Sequence, residues 1–343
     1  MEYSFLGHSD LKVSKICLGT MTFGQQNTCE EAHQQLDFAF SRGVNFIDTA
    51  EMYPVPPREQ TQGDTEKFIG SWLLKHHCRN EVIIASKVAG PGMMDYLRGG
   101  AQLTRDQIDK ALHDSLRRLQ TDYIDLYQVH WPARQTNFFG KLGYTFDPQD
   151  STPIEETLEV LHDYTKQGKI RYIGISNETP WGLMQYITLA DKNHWPRVVS
   201  VQNPYSLLNR SYEIGLAEFS HRENVDLLAY SPLGFGTLTG KYLQSADLSK
   251  ARLTLFEQYT RYSNEQAEQA VKLYVSLAND YELSAAQMAL SYVNSRPFTG
   301  ANIIGATSIK QLEENINSIN LELSQEVVEK IELIHQQIPN PSP

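Results

Sequence analysis

Four residues of this chain have the types and spacing that proton chemistry requires. Asp48 ends the apolar run VNFID, Tyr53 follows it in DTAEMY, Lys87 follows VIIAS, and His130 follows YIDLYQV. An Asp beside a Lys keeps the ammonium charged and oriented, and that cation favours a tyrosinate. The set therefore predicts a Tyr53 phenol depressed below its usual pKa of about 10, able to give or take a proton near neutrality. His130 could orient a carbonyl by a hydrogen bond. Such a group protonates a carbonyl oxygen as negative charge develops on it, yet contains no hydride, so it requires a reduced cofactor. Singly, each residue also reads as ordinary structure: Asp48 capping a turn, Tyr53 packed before Pro54, Lys87 at a solvated strand end, His130 in the core. The chemical reading holds only if these strand ends meet on one face.

The elements that must bring them together show as an alternation. Short β-branched runs at 15–18, 44–48, 82–86, 123–129, 170–175, 198–202, 225–230 and 303–305 read as strands. Some are apolar throughout, such as VIIA at 82–85, as a parallel strand covered on both faces requires. Between them lie helix starts of the form S/T-x-x-E/Q: Thr104 with Gln107, Thr152 with Glu155, Ser263 with Gln266, Ser284 with Gln287 and Ser308 with Gln311. Pro153 suits a first helical position, and Gly43 and Gly168 suit left-handed C-terminal caps. Strict alternation without a dividing linker predicts an α/β fold with a parallel sheet, and about eight units favour a (β/α)8 TIM barrel. An open doubly wound sheet would want a dinucleotide fingerprint, but GFGTLTG at 234–240 reads GxGxxxG rather than GxGxxG. The barrel reading, with a short N-terminal hairpin, makes 1–343 a single domain. Its long loops, at 52–64, 89–100, 131–151 and 256–262, would overhang the C-terminal rim, where barrel active sites are built.

Composition narrows the setting. Thirty basic against 41 acidic residues give a net charge of −11, which argues against nucleic acid as a partner. The three cysteines form no CxxC and cannot pair completely, which fits a reducing cytoplasm. No run approaches the roughly 20 apolar residues of a membrane span, and the N-terminus lacks the pattern of a secretory signal. No metal site is expected: there is no HExxH, and His76 and His77 fall on a helix surface where their side chains diverge.

Asp48, Tyr53, Lys87 and His130, in that order and at those strand ends, resemble the catalytic tetrad of the aldo-keto reductases, (β/α)8 barrels that use NADPH. The segments LKVSKICLGTMTFG, LRRLQTDYIDLYQVHWP, GKIRYIGISN, VQNPYSLLNR and AYSPLGFGTLTGKY are similar to successive blocks of that family, so the resemblance spans nearly the whole chain. EMYPVPP and QVHWP resemble the bacterial Tas-type subfamily, and more distantly the chain is similar to potassium-channel β subunits.

The resemblance implies a set of contacts to NADPH or NADP. Gly19, Thr20 and Met21 would approach the nicotinamide ribose, and Ser176, Asn177 and Gln202 would hold the carboxamide beside Asp48. Tyr230 would stack on the nicotinamide, while Ser231, Leu233 and Gly234 would cover the pyrophosphate. Lys241 and Arg252 would meet phosphate, and Gly305, Thr307, Gln311, Glu314 and Asn315 would bind the adenosine end. Ser308 as an N-cap supports the last placement, because a helix N-terminus offers free N–H donors to a phosphate.

The implied activity is reduction of an aldehyde or ketone to an alcohol, with Tyr53 as general acid. A regulatory nicotinamide-binding protein with residual turnover is the alternative from another class, and its partner would be a protein. A hydrolase using Asp48 and Glu51 as a carboxylate pair leaves Tyr53 and Lys87 unexplained. Trp131, Phe138, Phe139 and Tyr144 could form an aromatic wall at the site or simply pack their own loop. The physiological substrate and the oligomeric state do not follow from the sequence.

Overall fold

The structure is a computed structural model that describes residues 1–148, 152–243, 248–249 and 251–343. Eight parallel strands close a barrel: β3 (Ile16–Gly19), β4 (Phe46–Asp48), β5 (Ile83–Val88), β6 (Ile124–Val129), β7 (Ile170–Ser176), β8 (Ser200–Pro204), β9 (Asp226–Tyr230) and β10 (Thr299–Ile304). Each pairs with its sequence neighbours, and β10 returns to pair with β3. Before them, β1 (Tyr3–Phe5) and β2 (Lys12–Ser14) form an antiparallel hairpin.

Helices α1 (Cys29–Ser41), α2 (Asp64–His76), α3 (Arg105–Leu119), α4 (Ile154–Lys166), α5 (Pro180–Asn193) and α6 (Leu216–Glu223) follow β3 to β8 in turn. The β9–β10 connection carries α7 (Arg252–Leu255), α8 (Glu265–Asp280) and α9 (Ala285–Asn294), and α10 (Ile309–Asn317) and α11 (Gln325–Gln337) follow β10. The chain is thus a (β/α)8 barrel, the outcome expected from eight alternating runs. The last strand runs earlier than 303–305, since Thr299 to Ile304 are all buried in the sheet.

Two apolar layers divide along the strands because side chains alternate across them. Outward residues such as Ile84, Tyr127 and Ile173 pack under the helices in the larger core. Inward residues Cys17, Phe46, Ala85, Leu126, Leu228 and Ala301 fill the barrel and meet Leu6, Leu11 and Val13 of the hairpin. The hairpin therefore seals the end at which the strands begin. Gly7 is held against that end by its N–H to Asp226, 2.7 Å, in a left-handed conformation at φ +52°. One step of two residues beyond the apolar layer, the same faces carry Asp48, Lys87, Gln128 and Gln202 toward the other end.

The helix starts depart from the sequence reading in detail. Ser284 and Ser308 cap α9 and α10, but Gln287 turns to the Glu314 carbonyl and Gln311 accepts from Thr307, so neither box closes. Pro153 itself is the N-cap of α4, and Asn264 rather than Ser263 caps α8. Asn264 wins because its side-chain oxygen takes the Ala267 N–H at 2.9 Å. A complete reciprocal box occurs at Thr28 and Glu31 of α1, a T-x-x-E pattern the sequence reading passed over.

At Gly70 the backbone of α3 lies directly against α2. A Cβ there would meet the Arg118 carbonyl oxygen, which is backbone and cannot swing away. Gly70→Ala is expected to cost about 1–3 kcal/mol, more than the roughly 1 kcal/mol for Thr28→Ala. Urea denaturation of the two variants checks this; an unchanged midpoint for Gly70→Ala would show that the helices can separate freely.

Candidate active site

Asp48 is the last residue of β4 and pairs with Ala85 of β5, so Lys87, two residues further along β5, falls on the same face one step nearer the rim. Both are buried, and the Lys87 Nζ donates to Asp48 Oδ2 at 2.6 Å and to the Thr49 carbonyl at 2.8 Å. The other carboxylate oxygen, Oδ1, accepts from Gln202 Nε2 at 2.8 Å and from Gln128 Nε2 at 3.2 Å. Beyond β4 the chain folds over this pair and brings the Tyr53 ring over Lys87, with Nζ 5.0 Å from the ring centroid. His130, just past β6, stands edge-on to Tyr53 with ring centroids 5.8 Å apart. The four residues named from the sequence are therefore in one cluster at the rim.

The electrostatics correct one expectation. The Tyr53 phenol is raised above its ordinary value of 10.0: burial pushes it up, and the Lys87 ammonium pulls it down by less. Tyr53 is thus a phenol held protonated, a donor rather than a poised base. Lys87 stays charged because, although burial opposes its charge, Asp48 and Tyr53 outweigh that effect. His130 is held well below 6.5 by burial and then by the Lys87 charge, so it is a neutral imidazole. Its buried Nδ1 has no hydrogen-bond partner among the described residues.

These groups open onto a cavity of about 660 Å³. Its walls include Gly19, Thr20, Met21, Asp48, Tyr53, His130, Ser176, Asn177, Gln202, Tyr230, Ser231, Leu233, Lys241, Arg252, Gly305, Thr307, Gln311, Glu314 and Asn315. Lys87 lies behind Tyr53 rather than on the wall, and Gly234 is buried beneath the 231–240 turn without lining the cavity. Tyr230 donates to Asn177 Oδ1 at 2.7 Å, and Asn177 donates to the His130 carbonyl at 2.9 Å. Asn177 and Ser231, with φ of 54°, both hold left-handed conformations that non-glycine residues seldom adopt, and both face the cavity. Among the described residues neither Lys241 nor Arg252 forms an ion pair. Burial lowers both, and Arg252 lowers Lys241 further, so two cations share the wall with no carboxylate paired to either among the described residues.

Several participants were missed. Gln128 orients Asp48, and its signal was position: two residues before His130 in YQVH it must face the same way. Arg261, Tyr259 and Gln26 line the cavity from loops whose side-chain directions no periodicity reveals. Glu51, by contrast, is turned away. It is bound by Arg98 and accepts from the Ala89 N–H at 2.7 Å, so it fastens the 89–100 loop and cannot pair with Asp48 for hydrolysis. The aromatic segment divides: Trp131 is fully buried and stacks near Phe138, Phe139 faces the cavity, and Tyr144 points to solvent. Residues 149–151, the end of the expected long loop, lie outside the described residues. Among the described residues no cluster of His, Cys, Asp or Glu could hold a metal ion, and no helix is long and apolar enough to cross a membrane.

A closed barrel with this cluster at the end where its strands finish defines an oxidoreductase of the aldo/keto reductase type. The chain belongs to the Aldo/keto reductase family, whose model matches residues 15–336. It is 56% identical to Protein tas of Escherichia coli over the full length of both chains. It is 32% identical to the Uncharacterized oxidoreductase YrpG of Bacillus subtilis, covering 96% of this chain and 94% of that one. A Probable voltage-gated potassium channel subunit beta of Arabidopsis thaliana is 30% identical over 99% of this chain and 98% of its own.

The neutral His130 has a measurable consequence. An unfolded histidine takes up a proton below about pH 6.5, and the buried one does not, so stability falls as pH drops through that value. His130→Gln removes this loss, and the stability difference between pH 7 and pH 5.5 should shrink by about 1 kcal/mol. Denaturant titrations at the two pH values test it; equal pH dependence in both proteins would mean that His130 is not held neutral.

Proposed function

We propose that this protein is an NADPH-dependent carbonyl reductase in which Tyr53 is the general acid. The observation that carries the reading is a protonated phenol set between a buried ammonium and a neutral imidazole at the mouth of one deep cavity. Tyr53 gives its proton to the carbonyl oxygen as that oxygen becomes alkoxide. Lys87 stabilises the tyrosinate left behind, and Asp48 keeps Lys87 charged and aimed. His130, a neutral imidazole on the cavity wall beside Tyr53, orients the oxygen by a hydrogen bond.

The cavity fits a nicotinamide dinucleotide. Ser176, Asn177 and Gln202 present amide and hydroxyl groups beside Tyr230, an arrangement suited to a carboxamide and a stacked ring. Lys241 and Arg252 supply unpaired positive charge for the pyrophosphate. A Cβ at Gly305 would meet nothing, so backbone is open to the ligand there, and the capped N-terminus of α10 favours a further phosphate. Gly19 to Met21, Ser231 and Leu233, and Thr307, Gln311, Glu314 and Asn315 complete the set, with Gly234 shaping the turn behind them. When bound, the reduced cofactor supplies the hydride. We take residues 1–343 as one barrel unit, acting on a small-molecule aldehyde or ketone in the cytoplasm, a setting supported by three free thiols.

Tyr53→Phe should bind NADPH within about threefold of the parent and lose roughly 100- to 10,000-fold in carbonyl reduction; an unchanged rate would remove Tyr53 from the acid role. Because the phenol lies above 10.0, reduction should be flat from neutrality to pH 9, whereas oxidation of the alcohol should climb over that range. A plateau in oxidation near pH 7 would contradict this. The similarity to channel β subunits favours a second reading, a nicotinamide-loaded regulator of a partner protein. Tight NADPH binding with no turnover of any aldehyde would support it.

A further inference from the structure

Three cations line the cavity, and the reading above employs two of them. Arg261, in the 256–264 connection between α7 and α8, is the third. Its stem lies along Gly140, where a Cβ would come within 3.0 Å of Arg261 Cγ, so the Phe139–Gly140 turn is seated directly on it. Its Nε donates to the Pro343 oxygen at 3.0 Å, and its guanidinium faces the Tyr230 hydroxyl. That hydroxyl is already donating to Asn177, which holds the His130 carbonyl, so Arg261 stands on the same wall as the residue that orients the reacting oxygen.

Two of five N–H donors on this guanidinium are thus accounted for, by the Pro343 oxygen and the Tyr230 hydroxyl, and among the described residues no Asp or Glu side chain pairs with it. A half-buried guanidinium with spare donors presents the fork geometry that binds a carboxylate through two parallel hydrogen bonds. Phe139 lies next to it on the cavity wall, which suits the flat or apolar portion of a ligand between its two polar ends. We propose that Arg261 is a specificity-determining residue that anchors an anionic group of the substrate, so that the preferred substrates are aldehydes or ketones bearing a carboxylate. The proposal rests on the carbonyl-reductase reading.

The test compares 4-carboxybenzaldehyde with its neutral methyl ester at saturating NADPH, in the parent, Arg261→Met and Arg261→Lys. Met keeps the stem that supports Gly140, and Lys restores the charge without the fork. The acid-to-ester ratio of kcat/KM should fall by about tenfold in Arg261→Met, chiefly through KM, with partial recovery in Arg261→Lys. A ratio unchanged in Arg261→Met, with both substrates slowed alike, would overturn the proposal and leave Arg261 as a loop support. Calorimetric binding of 4-(hydroxymethyl)benzoate to the NADP-loaded protein reads the same anchor without turnover. Its affinity should drop about tenfold in Arg261→Met, and equal affinity would also overturn the proposal. Failure of the parent to reduce either aldehyde, with binding intact, would instead count against the reductase reading.

Discussion

Burying the Lys87 ammonium beside the Asp48 carboxylate takes two charges out of water, a loss their attraction offsets only when the remaining donors and lone pairs are also matched. Here they are matched across the barrel. Lys87 also reaches the Thr49 carbonyl, and Asp48 receives amides from Gln128 on β6 and Gln202 on β8. The pair therefore ties four strands together at the height where the apolar filling ends. Removing either partner would leave the other buried and unmatched, a much larger penalty than loss of an exposed ion pair.

That pair also sets the charge state of everything above it. One fixed cation lies under two neutral groups, a raised phenol and a depressed imidazole, so the site holds donors and positive potential where an oxygen would gain negative charge. Burial does most of this, and burial depends on the loops. Tyr53 packs with Met52, Met94, Leu97 and Trp131 in a small apolar cluster at the rim. Glu51 and Arg98 pin that cluster from behind, which gives a structural reason for an acidic residue in DTAEMY.

The barrel and the cluster were legible for one reason: period-two strands cast residues of known spacing onto one face, and parallel strands deliver their ends to one rim. Asp48, Lys87 and His130 follow from that rule. Tyr53 does not, being in a turn; it was grouped with them because a Lys held charged by an Asp favours a nearby tyrosinate, and the family resemblance then agreed. The direction of the Tyr53 shift was misjudged because a sequence names the neighbouring cation but not the depth of burial that outweighs it. Helix starts were placed within a residue or so, yet Asn264 displaced Ser263 because both are good caps and only the local turn decides between them. Arg261 stayed invisible, since its exposure to the cavity depends on how three loops meet.

The most direct test of the account is a single-turnover experiment: protein loaded with one equivalent of NADPH, mixed rapidly with excess aromatic aldehyde, and followed by reduced-nicotinamide absorbance and product alcohol together. The account predicts loss of the absorbance in one phase with an equal amount of alcohol formed, and a slower phase when the transferred hydrogen of the cofactor is deuterium. Absorbance that persists while NADPH remains bound, or decays without alcohol, would contradict it.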